Sequence, residues 1–533
     1  MPSQFKRFTI PSVLATGLAA FALSACGGGS DDSSVSELAK YAPADTPVFV
    51  EGAVQPDSDV AANIDSITEK LVGANLGDLI KDGISTSGGS EIDFDADIKP
   101  WLGDNAAAFV DFDPSTLASD VVPDNSGITS FDPSEDEDKF GVIIQTSDTD
   151  AAQSFIDKQA EDEGGSKDGE YEGFSYKITS DGSAVGIVDD NVVAGSSEAE
   201  FKAAVDASKG DNLADAKAFS DVADHAADGA LATVFTSNDP YLESVKEQGY
   251  DFSGLLSALG YQLEDTGSIA SLVPESNEIS VQGYSNAGSD LQSGDPSGVI
   301  KTFPADSIFA TGSGDVGGNA TKILDALNQE GIPGVLKPGD IDQMINESSG
   351  QIDIKGIVES LETVAFFVNG NSERTIGGAL VATSSDIKPI ESSLRGISSL
   401  ISLAGDASVR PLPGGVAGFR VSTRELPGRP VVVGVKGDRM VIGIGMKASL
   451  TALTGQGPTL ADSDAYKAAD ASISGEGLDM FADPANIAKL VVNAGAGDPD
   501  AQQIADVIKK FAYVAAGSGD EDKSFEFNLG LQE

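Results

Sequence analysis

One cysteine, one histidine and a large surplus of carboxylates bound the chemistry open to this chain. The cysteine is Cys26, which ends the run Leu23-Ser24-Ala25-Cys26. Lys6 and Arg7 supply a basic start, and Ile10 to Leu23 a short apolar run broken by Pro11 and Gly17. A basic start, an apolar run and small residues at the cut define a secretory leader. A thiol placed there can carry a diacylglyceryl group, with cleavage between Ala25 and Cys26. The expected protein is held at the cell membrane, on its extracytoplasmic face, by acyl chains on Cys26. Each buried CH₂ contributes about 0.8 kcal/mol, so two or three chains hold it without a spanning helix. The apolar run is itself short of the roughly 20 residues a spanning helix needs.

The remaining chemistry is sparse. His225 is the sole histidine, so any Ser-His-Asp triad must use it. It lies in a stretch rich in Ala and Asp, whose counterpart later in the chain has no histidine, and reads as a surface residue on a structural helix. Cysteine- and histidine-based zinc sites are excluded by count, and a nucleophilic thiol by acylation of Cys26. Gly312-Ser313-Gly314-Asp315-Val316-Gly317 spells a dinucleotide fingerprint between an expected strand and helix. Asp315, however, puts a negative charge where a phosphate would sit on bare N–H groups. It reads as a strand-to-helix turn, and so does Gly443-Ile444-Gly445.

Asp93, Asp95 and Asp97 alternate as in a calcium loop, but Ile98 stands where the turn glycine is needed. In a strand the three would share one solvated face. These acids and Asp132 to Asp138 imply weak cation binding only. With 85 acids, carboxylate pairs for glycoside hydrolysis are too abundant to be a signal, and one Trp gives little for a sugar platform. No residue set specifies a catalytic, cofactor or metal site. The expectation is a protein that is not an enzyme and has no cofactor.

The elements that must position any site come from a chain of 533 residues, 508 after Cys26 becomes the first. The leader takes two of the 33 basic residues and no acids, leaving 31 basic against 85 acidic residues and a net charge of −54. Such a surface repels nucleic acid, which is excluded as a partner. Self-repulsion also destabilises the compact state unless cations screen it, which suggests salty surroundings or a cation-rich wall. Residues 26–35 form a Gly/Ser/Asp tether.

Beyond the tether the sequence repeats itself. Pro43-Ala44-Asp45 before Val48-Phe49-Val50 matches Pro304-Ala305-Asp306 before Ile308-Phe309-Ala310. Ala107-Ala108-Phe109-Val110 matches Ala365-Phe366-Phe367-Val368, and Gly141-Val142-Ile143-Ile144 matches Gly378-Ala379-Leu380-Val381. Gly173-Phe174, Asp190 to Val193, Leu213-Ala214-Asp215 with Phe219, and Asp239-Pro240 find partners in the same order. These are Gly418-Phe419, Asp438 to Val441, Leu460-Ala461-Asp462 with Tyr466, and Asp483-Pro484.

Two tandem domains follow, residues 36–290 and 297–533, with an acidic loop insertion at 113–138 in the first. Short strands joined by turns rich in Gly, Asp and Asn predict hairpins. The fold class expected is α+β: in each domain, a mainly antiparallel sheet with helices on one face.

With those landmarks placed, the chain resembles an uncharacterised family of cell-envelope lipoproteins from high-GC Gram-positive bacteria, a domain of unknown function. Pro43-Ala44-Asp45-Thr46-Pro47, Ile98-Lys99-Pro100-Trp101-Leu102-Gly103-Asp104, and Leu213-Ala214-Asp215 before Phe219 carry the resemblance. The second domain departs from it, with Gly356-Ile357-Val358 where the first has Pro100-Trp101-Leu102. The resemblance implies an extracytoplasmic, lipid-anchored protein and no catalytic or ligand residue.

Three roles remain: a non-enzymatic binding or structural protein with an envelope partner, a carrier of a hydrophobic ligand, or a carboxylate-based hydrolase. Strands apolar on both sides, such as Val142 to Ile144 and Leu380 to Val381, suit either a buried core or a lined cavity.

Overall fold

The computed structural model describes residues 36–75, 94–111, 139–162, 165–239, 246, 251–262, 264–332, 335–348, 354–372, 374–403, 408–424, 426–495 and 497–533. The leader, Cys26, the tether and the 113–138 insertion lie outside them. Two compact units result. One falls within Met1–Tyr250 and Leu263–Ala287, the other within Asp251–Gln262 and Gly288–Glu533.

In the first unit the strands are β1 (Val48–Ala53), β2 (Leu102–Asp111), β3 (Lys139–Thr146), β4 (Lys167–Tyr171), β5 (Phe174–Ile178), β6 (Ala184–Val188), β7 (Asn191–Gly195), β8 (Ala232–Ser237), β9 (Gly267–Glu275) and β10 (Glu278–Ser285). They pair antiparallel in the order β4-β5-β6-β7-β3-β2-β1-β8-β9-β10.

The second unit contains β11 (Ser307–Ser313), β12 (Leu361–Asn369), β13 (Gly377–Ser384), β14 (Ser408–Pro411), β15 (Ala417–Ser422), β16 (Val431–Lys436), β17 (Arg439–Ile444), β18 (Leu478–Ala482), β19 (Phe511–Ser518) and β20 (Ser524–Leu531). Their antiparallel order, β14-β15-β16-β17-β13-β12-β11-β18-β19-β20, is the same. The fold is α+β.

Local chemistry sets the helices. Asp57 caps Ser58–Val72 by accepting from the N–H groups of Asp59 and Val60, and Gly73 ends it at φ 75°. Val60, Ile64 and Ile67 recur at helical spacing and are buried. Ser197 caps Glu198–Lys209, which buries Phe201, Ala204 and Val205.

Helices cover both faces of the first sheet, not one. On β3, Ile143 joins a core with Phe201, Ala204 and Val205. Its neighbours Val142 and Ile144 join a second core with Ala152, Phe155 and Ile156 of helix Thr149–Asp162, and with Trp101. A strand covered on both faces reads as a continuous apolar run, which is why alternation was missing.

Register corrects the residue correspondences. Phe49 pairs with Phe109 and Phe235, whereas Ala310 pairs with Phe367 and Phe481. Phe49 therefore corresponds to Ala310, one residue along from the match made on sequence. The lost volume returns nearby. The carbonyl of Ala42 accepts from Leu213 N–H at 2.9 Å, and that of Phe303 from Leu460 N–H at 2.8 Å. Ala42 with Phe49 thus becomes Phe303 with Ala310, all four buried in their cores. In the same way Ile143 corresponds to Val381, since they face Val193 and Val441. Tyr176 corresponds to Gly418, both lying across a hairpin from a glycine that faces Val193 or Val441. Ser237, not Asp239, corresponds to Asp483: their N–H groups donate to the carbonyls of Pro47 and Ile308.

Candidate functional site

The residues singled out on sequence serve the framework. His225 lies beyond the end of helix Lys217–Ala223 and stacks on Tyr284, with ring centroids 3.5 Å apart. At Gly314, an added Cβ would come 2.4 Å from the Gly294 backbone, and at Gly317 2.6 Å from the Leu361 carbonyl. Backbone thus fills the space a phosphate would need. At Gly443 a Cβ would lie 2.5 Å from those of Ala379 and from Ser449 Oγ. Asp95 and Asp97 fall in a π-helical turn, Phe94–Ile98, and not in a strand. Asp97 pairs with Lys158 at 2.8 Å, and its carbonyl accepts from Trp101 Nε1 at 2.8 Å. Asp93 and Asp132 to Asp138 lie outside the described residues.

A polar recess of about 640 Å³ opens in the first unit, bordered by Glu37, Tyr41, Lys99, Asp104, Asp189 and Asp190. Much of its lining holds the irregular start of β2. Gln55 Nε2 donates to the carbonyls of Leu102 and Gly103 at 2.8 and 3.1 Å. Thr146 Oγ1 donates to Trp101 O at 2.6 Å, and Ser147 Oγ to Leu102 O at 3.0 Å. Burial and then Asp189, whose carboxylate accepts from the hydroxyl at 3.3 Å, raise the Tyr41 pKa. The recess is framework with an acidic rim.

Two carboxyls, Glu51 buried and Asp479 half-buried, are pushed towards neutrality. Burial, then Glu37, raises Glu51 to about 8, and its Oε2 has no partner among the described residues. Burial, then Asp295, raises Asp479 to about 6. Glu51 faces Thr233 across β1–β8, and Thr233 is the counterpart of Asp479. Each unit thus places one acid at the same spot from opposite strands.

The second unit carries a feature that the residue-type survey missed. Trp101 O accepts from Ser147 N–H, and Ser360 O from Ser385 N–H, both at 2.9 Å, so Ser360 stands where Trp101 does. In the first unit Trp101 packs on Phe155, ring centroids 5.5 Å apart, and together they roof the sheet. Counting from Asp148 and Asp386, Ser393 takes the place of Phe155. Helix Lys388–Leu403 lies instead over β14, β15 and β16, with Ile390 and Leu394 packed on Phe419, Val421 and Val435.

The floor is left open. In place of Ala108, Val142, Ala194 and Ser196 stand Phe366, Leu380, Ile442 and Ile444, larger apolar residues of which the first three pair across adjacent strands. Their exposures are 42%, 40%, 45% and 36%, whereas Val142 and Ala194 are at 0% and 1%. Beside the floor, a recess of about 450 Å³ lies between the helix (Glu391, Leu394, Ser398) and Val409, Arg410 and Phe419.

A second signal was present in the sequence: beyond Arg7, every arginine falls between Arg374 and Arg439. That window has nine basic and five acidic residues, in a chain otherwise strongly anionic. Arg439 donates to Thr302 Oγ1 at 2.7 Å and Arg429 to Ile376 O at 2.7 Å. Arg374 and Arg424 are exposed in loops.

No curated protein matches the chain. Crystal form I of TP0453 is similar at 11% identity, covering 79% of this chain and 96% of that one, with a TM-score of 0.18. Crystal form IV of TP0453 matches at 11% identity over 78% and 96%, also at 0.18. Likeness at that score carries no argument about fold or function. A family model, described as a protein of unknown function (DUF3352), matches residues 9–531. Matched over nearly its whole length, the chain belongs to that family of unknown function.

Proposed function

We propose that this is a lipid-anchored cell-envelope protein, on the outer face of the membrane of a high-GC Gram-positive bacterium, that binds an apolar ligand without chemistry. The observation that carries the reading is the open floor of Phe366, Leu380, Ile442 and Ile444 beside the 450 Å³ recess. Exposing large apolar side chains costs about 25 cal/mol per Å², and contiguous apolar patches mark ligand or partner sites.

Tandem duplication is part of the proposal. Its support is the common strand order and the exchange of Ala42 and Phe49 for Phe303 and Ala310. One copy kept its roof and the other lost it, the division of labour expected when only one copy binds.

Two measurements test the reading. Mass spectrometry of protein purified from membranes should find a co-purifying apolar molecule, lost with Leu380→Asp/Ile442→Asp. Its absence from both would end the binding role. Cys26→Ser should move the protein from the membrane to the soluble fraction, and retention of an unacylated chain would end the anchoring.

A further inference from the structure

We infer that the ligand is a single anionic lipid molecule, its acyl chain on the open floor and its headgroup at an arginine rim. This rests on the binding reading above and adds the chemistry of the ligand. The floor has a polar end and an apolar middle, fixed by register. Ile444 pairs with Gly378 at the start of β13 and with Val431 at the start of β16. The loops at that end are therefore 370–376, between β12 and β13, and 423–430, between β15 and β16. They bring Arg374, Arg424 and Arg429, and the hydrogen bond from Arg429 to Ile376 O ties the two loops together.

In the first unit the connection matching 370–376 is the insertion 113–138, whose sequence is acid-rich and holds no basic residue. Where the floor is roofed, the connection from β2 to β3 is acidic in sequence; where it is open, the connection from β12 to β13 carries arginine. Guanidinium is suited to phosphate, which it can hold through two parallel N–H donors. A net charge of −54 opposes an anionic bilayer at long range. One lipid molecule meets this repulsion least, and the recess beside the floor, between helix Lys388–Leu403 and strands β14 and β15, suits a single chain better than a flat surface.

The test uses the mature chain with Cys26→Ser, so that its own acyl groups cannot occupy the floor. Calorimetric titration with monomeric short-chain phosphatidylglycerol, below its micelle concentration, should give affinity at least about tenfold above the phosphatidylcholine counterpart. Arg374→Gln/Arg424→Gln should bring the two together. Leu380→Asp/Ile442→Asp should remove both, with circular dichroism unchanged because all four positions are solvent-facing.

Equal affinity for both lipids in the unmutated chain would overturn the headgroup assignment and leave the apolar-ligand reading standing. No binding of either would overturn both. Binding to anionic vesicles but not to monomeric lipid would replace one molecule by a bilayer surface. A dimer in light scattering that Leu380→Asp separates would assign the floor to a second copy.

Discussion

Glu51 is a carboxyl in an apolar core, and its protonation feeds directly into stability. Burial, with Glu37 second, lifts its pKa from 4.5 to about 8, so the folded chain binds a proton that the unfolded chain releases. The group's contribution is complete below pH 4.5 and is lost as pH rises through 8. A shift of this size corresponds to on the order of 5 kcal/mol. Glu51→Gln keeps the shape and removes the charge. It should stabilise the protein by about 2–4 kcal/mol at pH 9 and do little at pH 4. Urea midpoints across that range are the measurement, and an equal effect at both pH values would show that Glu51 does not ionise in the core.

Strands and helices divide the duties of the two units by their partners. β1 and β11 use the same pairing but fill it differently, a large residue on the strand in one and before it in the other. Phe49→Ala alone should cost about 3–5 kcal/mol through the cavity it leaves. Ala42→Phe alone should cost about 1–3 kcal/mol by overpacking. Made together they recreate the arrangement of Phe303 and Ala310, and the double variant should be at least about 2 kcal/mol better than the sum. Additive losses in denaturant unfolding would show that the two positions do not share one volume. The roof obeys the same logic: Trp101 and Phe155 close one face, and serine at both positions opens the other.

At the scale of the molecule, charge dominates. With a net charge of −52, carboxylate repulsion opposes the compact state, and the Debye length falls from about 10 Å at 0.1 M salt to about 3 Å at 1 M. The thermal midpoint of the soluble Cys26→Ser chain should rise by several degrees over that interval. An unchanged midpoint would separate acidity from any dependence on salty surroundings. Among the described residues no helix is long and apolar enough to cross a membrane.

Local chemistry made much of this legible without coordinates. Charge and residue counts are properties of the chain itself, and caps such as Asp57 and Ser197 act within a few residues of where they stand. Hairpins closed by Asp189-Asp190 and Gly437-Asp438 are equally local. Register was not local: a one-residue slip moves a side chain to the opposite face, and only pairing with Phe109, Phe235, Phe367 and Phe481 fixed it.

Nor could apolar runs say whether they were covered. Val142 and Leu380 look alike in sequence, yet one is fully buried in a core with Trp101 and Phe155 and the other is 40% exposed. Burial depends on residues far along the chain, so the open floor was decided by tertiary structure, which also brought two arginine-bearing loops of the basic window together at one end of it.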